Sequence, residues 1–175
     1  MVTGASRGLG LQIVKSLVNG SFSPGKIIAR LRHETRAEPR CGQQGQYSLR
    51  NAAQEVHVIV QDEGPNYLIN NVVINFVADF QTVTAEKMLQ NFHTNTVGPL
   101  MLTKALLPAL RAARGGSGMG VHRPAVLNIS SCLGSVVLNW GDSANKFKWY
   151  PYRTSKWRSG VTDLTVEEQQ ADIMA

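Results

Sequence analysis

Apolar residues come along this chain in short clusters that switch between strand and helix spacing, and the alternation predicts a parallel α/β fold. Met1-Val2-Thr3 is β-prone but stops at Gly4, so the first strand falls short of the usual length of about five or six residues. Leu11, Ile13, Val14, Leu17 and Val18 follow at helical spacing and end at the Asn19-Gly20 cap signal. Lys26-Ile27-Ile28-Ala29 reads as a second strand, Tyr67-Leu68-Ile69-Asn70 as a buried third, and Pro124-Ala125-Val126-Leu127-Asn128-Ile129 as a fourth. A helix is predicted from about Thr84 to Arg114. It should bend at Pro99, which has no N–H to give to the Asn95 carbonyl four residues back. A last helix opens at Pro151, a residue suited to a first turn.

Other stretches are harder to read. Arg36 to Gln46 mixes charge with Pro39, Gly42 and Gly45 and predicts a loop. Val56 to Val60 fits a short strand, yet Asn51 to Gln61 fits one helix running into the Glu63-Gly64-Pro65 turn; both stay open. Gly115 to Gly120 is a surface loop, and Leu133 to Phe147 joins the last strand to the last helix. Beyond Lys156 the helical pattern weakens at Gly160, and Thr165-Val166-Glu167-Glu168 has the form of a capping box.

Composition narrows the class. The 175 residues suffice for one domain with a real core, at 43% apolar and 17% charged. No apolar run approaches membrane-spanning length, and the N-terminus lacks a signal-peptide layout. Cys41 and Cys132 give neither a disulfide framework nor a metal spacing, and the four histidines form no ligand pair. A reducing, cytoplasmic setting follows as the expectation. The net charge of +6 gathers in two patches: residues 30–50 hold five Arg against two Glu, and residues 146–158 hold five basic groups and no acid. No recognition helix, zinc spacing or aromatic stripe accompanies them, so a phosphorylated small molecule fits better than nucleic acid.

Candidate chemistry sits at three places. Gly4-Ala5-Ser6-Arg7-Gly8-Leu9-Gly10 opens the first helix, and such a turn offers backbone N–H groups and a positive dipole end to a phosphate. Ser130 and Ser131 lie at the carboxyl end of a strand, where α/β sheets bind ligands. Tyr152 and Lys156 are four apart and share one face of a helix. An ammonium one turn from a phenol favours the phenolate, so the pair can protonate an alkoxide or deprotonate an alcohol. The second strand runs into Arg30-Leu31-Arg32-His33, where an NAD-preferring fold places an acid; arginine favours the 2′-phosphate of NADP.

In chain order, Thr3 to Gly10, Asn70-Asn71, Asn95, Asn128-Ile129-Ser130-Ser131 and Tyr152 to Lys156 resemble the short-chain dehydrogenase/reductase family. More narrowly, they are similar to the carbonyl-reductase branch that includes C-factor and sniffer proteins. The resemblance covers residues 1–29 and about 64–156. It implies a Rossmann-like doubly wound parallel sheet, incomplete at its C-terminal end, in a single NAD(P)-binding domain truncated after the Tyr152 helix. It implies NADP(H) held by Gly4, Ser6, Arg7, Gly8, Leu9, Gly10, Arg32, Asn70, Tyr152 and Lys156. Tyr152 would be the acid/base, Lys156 would ease its ionisation and hold the nicotinamide ribose, and Ser131 would polarise a substrate carbonyl. Asn95 would hold a relay water on its main-chain carbonyl. The implied partners are a small carbonyl substrate and a second copy of the chain, although the helix that builds the family's dimer is cut short.

The departures raise a second reading. Where the family has Asn-Asn-Ala-Gly this chain has Asn70-Asn71-Val72-Val73, and the valines put bulk where the backbone approaches the cofactor. Residues 30–63 are shorter than the family's two intervening units, so a strand–helix unit is expected to be missing. The adenine-contacting Asp has only a weak candidate in Asp62. Beyond Lys156 the resemblance stops. These features also suit an impaired remnant that only binds a nucleotide or a protein partner.

Overall fold

The computed structural model describes residues 1–21, 24–30, 43–113, 124–137 and 148–159. Four parallel strands, β1 (Val2–Thr3), β2 (Ala29–Arg30), β3 (Tyr67–Asn70) and β4 (Ala125–Asn128), lie in the order β2-β1-β3-β4. The chain steps from β1 outward to β2, then returns to the far side of β1 for β3 and β4. Strand order therefore reverses between β1 and β3, the point at which a doubly wound sheet opens a crevice beyond its carboxyl ends. Among the described residues five α-helices accompany the strands: α1 (Gly8–Asn19), α2 (Gln43–Val60), α3 (Ala85–Phe92), α4 (Gly98–Ala112) and α5 (Tyr150–Ser159).

β2 comes later than its apolar run suggests. Only Val2 and Thr3 precede the glycine turn in β1, so the ladder has two registered pairs, Val2 with Ala29 and Thr3 with Arg30. Lys26 to Ile28 lead in, with the Ile28 carbonyl accepting from Val2 N–H at 2.8 Å. Among the described residues no strand lies beyond β2.

The ambiguity over residues 51–61 resolves as helix, with a 3-10 turn over Gln61–Glu63 after it. Ala52, Val56 and Val60 recur every four residues on the buried stripe of α2. Val58 is 73% exposed, and this outward valine is what gives the segment its strand-like look. The stripe packs with Leu68 of β3 and with Leu102, Leu106 and Leu110 of α4. Side chains alternate across a strand, so Ile69 and Leu127 point to the other sheet face, towards Leu17 of α1. A cavity of about 550 Å³ opens on that face near the amino ends of the strands, remote from the crevice.

The long helix starts where expected. Thr84 caps α3, its hydroxyl accepting from Lys87 N–H at 3.2 Å. The break expected at Pro99 takes another form: His93–Val97 widens into a π-helical segment, and Gly98 N–H reaches the His93 carbonyl five residues back. Pro99 then stands in the first turn of α4, where no N–H is required of it. Arg32, Cys41, Gly115 to Gly120, Gly160 and Thr165 to Glu168 lie outside the described residues, as does most of the loop from Leu133 to Phe147.

The helical register of α2 makes a direct prediction. Val56→Ala should destabilise the fold by about 1–3 kcal/mol in urea unfolding, whereas Val58→Ala should change it by no more than about 0.5 kcal/mol. Equal losses at both positions would contradict this register.

Candidate active site

The turn between β1 and α1 is built by three glycines that serve different ends. Gly4 and Gly8 adopt left-handed backbone, with φ of +65° and +56°. Gly10 is needed for room: a Cβ there would lie 2.3 Å from the Gly4 carbonyl oxygen and 2.5 Å from Asn71 Nδ2. Ser6, Arg7 and Leu9 are exposed on the turn. The first turn of α1 has no acidic residue and no side-chain cap, in contrast to the capped α3. Its N–H groups are thus oriented for an anion.

Asn71 holds this turn against β3. Its Nδ2 donates to the carbonyls of Thr3 (3.1 Å) and Gly4 (3.3 Å). The Asn71 and Val72 N–H groups donate to Thr3 Oγ1 at 2.9 and 3.2 Å, and Thr3 Oγ1 donates to the Ile69 carbonyl at 3.3 Å. The adjacent Asn70, expected as a cofactor contact, turns inward instead. It is buried, and its Nδ2 donates to Asn128 Oδ1 (2.9 Å) and Thr103 Oγ1 (3.3 Å), tying β3 to β4 and α4. Strand alternation explains the exchange: Asn70 takes the face of Leu68, and Asn71 emerges at the carboxyl edge. Val72 packs close to Gly4, its Cγ2 3.3 Å from where a Cβ would stand, and Val73 is exposed.

β4 delivers the Ser131 turn to the same edge. Ser131 Oγ accepts from Leu133 N–H at 3.2 Å, capping a 3-10 turn over Cys132–Gly134. Gly134 fits only because it has no side chain, since a Cβ would lie 2.6 Å from the Lys156 carbonyl oxygen. The Ser131 turn is therefore pressed directly onto α5.

α5 carries Tyr152 and Lys156 one turn apart, as the spacing predicts. Its entry is fixed by Tyr150 N–H donating to the Ala78 carbonyl at 3.0 Å, and the Tyr152 ring lies edge-on to Trp149 at 6.3 Å. Lys156 is buried; its Nζ donates to the Ile129 carbonyl and stands 5.9 Å from the centre of the Tyr152 ring. Burial pushes its ammonium below the ordinary lysine value.

Asn95 lies buried in the π-helical segment. Its Oδ1 accepts from Ile74 N–H and its Nδ2 donates to the Ile74 carbonyl, both at 2.9 Å. The same Nδ2 donates to Ser155 Oγ at 2.9 Å. The glycine turn, Ser131, Tyr152 and Lys156 thus gather at the carboxyl edge, with Asn95 bonded to the Tyr152 helix. Arg30, one of the strand-end arginines read as favouring a 2′-phosphate, ends β2 beside the turn: its carbonyl accepts from Ala5 N–H, and its guanidinium pairs loosely with Glu55 at 3.7 Å. Arg32 and the Asp62 side chain are outside the described residues.

The sheet's carboxyl edge thus holds a glycine turn, a strand-end serine and a Tyr-x-x-x-Lys helix together. The family model for short chain dehydrogenase matches residues 1–167, and the chain belongs to that family. Within it, the chain is similar to the NADPH-bound carbonyl reductase from chicken fatty liver, with 30% identity and a TM-score of 0.75 over 89% of this chain and 64% of that one. It is equally similar to the carbonyl reductase Sniffer of Caenorhabditis elegans, with 30% identity and a TM-score of 0.78 over 96% and 80%. A curated relative, human retinol dehydrogenase 5, is 34% identical over 95 residues, which are 54% of this chain and 27% of that protein. The chain spans between 27% and 66% of the lengths of the curated relatives it matches. No helix among the described residues is long and apolar enough to cross a membrane.

The close packing at Gly10 is testable. Gly10→Ala forces the Gly4 carbonyl and the Asn71 amide apart, at a cost of about 1–3 kcal/mol in unfolding free energy. Gly25→Ala, with open space around it, serves as the comparison. Equal stability of the two variants would refute the close approach.

Proposed function

We propose that this chain is an NADP-dependent oxidoreductase that moves a hydride between nicotinamide and a carbonyl or alcohol carbon of a small molecule. The observation that carries this reading is the meeting of the uncapped glycine turn with Ser131, Tyr152 and Lys156 at one sheet edge. The site fits a dinucleotide: the first turn of α1 has neither an acid nor a side-chain cap, and Gly10 leaves no side chain in the way. Gly4, Ser6, Arg7, Gly8, Leu9 and Gly10 would hold the pyrophosphate, and Lys156 the nicotinamide ribose. Bound there, the nicotinamide supplies or takes up the hydride.

The protein's own part is proton handling. Ser131 Oγ already accepts from Leu133, which leaves its O–H to donate to a substrate oxygen. Tyr152 gives its phenolic proton to the forming alkoxide, or removes that of an alcohol. Lys156 stabilises the phenolate at close range, and a water on the Asn95 carbonyl would resupply the proton. Arg7, Arg30 and Arg32 favour a 2′-phosphate, and the loose Glu55 pair leaves Arg30 able to contribute. NADPH bound to the chicken carbonyl reductase supports this choice. The free, exposed Cys132 thiol suits the cytoplasm.

A second reading, a chain that binds nucleotide or a partner without turnover, is favoured by the bulk of Val72, which packs beside the Gly4 turn where a cofactor would approach. Turnover of a reactive dicarbonyl with NADPH, alongside a fluorescence titration of NADPH, separates the two. Tyr152→Phe should abolish turnover and leave NADPH affinity nearly intact, because the phenolic proton serves the transition state. Activity within about tenfold of the parent would remove Tyr152 from its role. Arg30→Ala and Arg32→Ala should each weaken NADPH about tenfold and NADH little, since a charge-assisted phosphate contact is worth about 1.5–3 kcal/mol. Equal affinity of the parent for both cofactors would refute the NADP assignment. Val72→Ala with Val73→Gly should tighten NADPH binding, and no change on titration would show that the valines are harmless.

A further inference from the structure

We propose that Ser155 is a positioning residue that locks the Asn95 amide to the backbone turn carrying Tyr152. The inference rests on the reading of Tyr152 as the proton donor. Ser155 is 1% exposed, with no access to substrate or solvent. A buried helical serine ordinarily does no more than donate to a carbonyl three or four residues back. Ser155 does this, donating to the Tyr152 carbonyl at 2.7 Å, but its oxygen also accepts from Asn95 Nδ2 at 2.9 Å. One hydroxyl therefore joins the π-helical segment to the turn that holds the phenol.

The bonds divide cleanly into two sets. The two Asn95 bonds to Ile74 anchor the π segment to the chain leaving β3, and they do not involve α5. Thr96 Oγ1 donates to the Ser155 carbonyl at 2.9 Å and also ties the two helices, without touching the amide. Among the described residues only Ser155 Oγ links the Asn95 amide to the Tyr152 turn. Without it, one N–H of a buried amide lacks its partner, and the amide is held from the Ile74 side alone. The π segment bonds carbonyls to N–H groups five residues on, as Gly98 N–H does to His93, and Pro99 has no N–H for the ordinary helical bond to Asn95. The side-chain bonds just described add to what orients that carbonyl relative to the phenol.

The test compares Ser155→Ala with Thr96→Val, each of which removes one bond between the same two segments. Ser155→Ala should lower kcat about tenfold or more with the NADPH KM within about twofold, whereas Thr96→Val should keep kcat within about twofold. Ser155→Thr, which restores a hydroxyl, should recover most of the lost kcat even where its added methyl lowers the melting temperature. Apart from turnover, Ser155→Ala should speed amide hydrogen exchange at Ile74 about tenfold by loosening Asn95, and Thr96→Val should not. Parent-like kcat in Ser155→Ala, equal loss in Thr96→Val, or unchanged exchange at Ile74 would each overturn the proposal. Tyr152→Phe run in parallel separates the failures. If it retains activity, the acid assignment falls and this inference with it; if it is inactive while Ser155→Ala is not, only the inference falls.

Discussion

The arrangement at the carboxyl edge depends on the bonds between Asn71 and the end of β1. A strand of two residues cannot hold a left-handed glycine turn in place through its ladder alone. The Asn71 amide supplies what the ladder lacks by donating to both the Thr3 and Gly4 carbonyls. Thr3 Oγ1 closes the arrangement, with two N–H donors on its lone pairs and its own proton on Ile69. Gly10 can then approach within van der Waals range of the turn, and α1 starts with its N–H groups aimed across the crevice. A side chain on Gly10 or an apolar residue at position 71 would separate α1 from β3, and the phosphate-binding geometry with it.

Asparagines repeat this logic around the sheet. Asn70 joins β3 to β4 and α4, Asn71 joins β3 to the glycine turn, and Asn95 joins the π segment to Ile74 and α5. Such polar links are costly when unsatisfied, so they fix one arrangement where apolar packing would tolerate several. Apolar packing has another part. The α2–α4–β3 cluster sits on one sheet face, behind the site, and sets the platform from which the asparagines reach. Chemistry and stability thus draw on different residues, which is why the site can be probed without dismantling the core.

Much of this was legible in the chain itself. The glycine turn, the β3 and β4 segments and the α5 pair follow from spacing rules that the fold obeys. The failures have local causes. Val58 and Ile59 are apolar yet outward-facing, so hydrophobicity alone does not separate helix from strand in α2. Pro99 announces a disturbed helix, but the disturbance moves upstream into a π segment because α4 can begin at Gly98 with proline in its first turn. Asn70 and Asn71 are the same residue type side by side, and only the strand's alternation assigns one inward and the other to the edge. Arg30 is suggested by its charge at the strand end, but its place beside the glycine turn comes from pairing with β1, a long-range contact with no local signature.

The two halves of such a site make different demands on the chain. On the proposed reading, proton handling would use Asn95, Ser131, Tyr152 and Lys156, all held by bonds and contacts among residues up to Ser159. Lys156 is set by Ile129, the Ser131 turn by its fit against α5, and Asn95 by Ile74 and Ser155. On that same reading, discrimination between substrates would depend on the walls around the reacting carbon. Val136 and Val137, which follow the Ser131 turn, are 61% and 81% exposed, and Val73 stands 43% exposed after the Asn71 anchor. Side chains this exposed offer apolar contact to a ligand but little shape selection. The physical expectation is a site whose acid–base geometry is set internally and whose choice of substrate is set loosely, by apolar contact more than by directed hydrogen bonds.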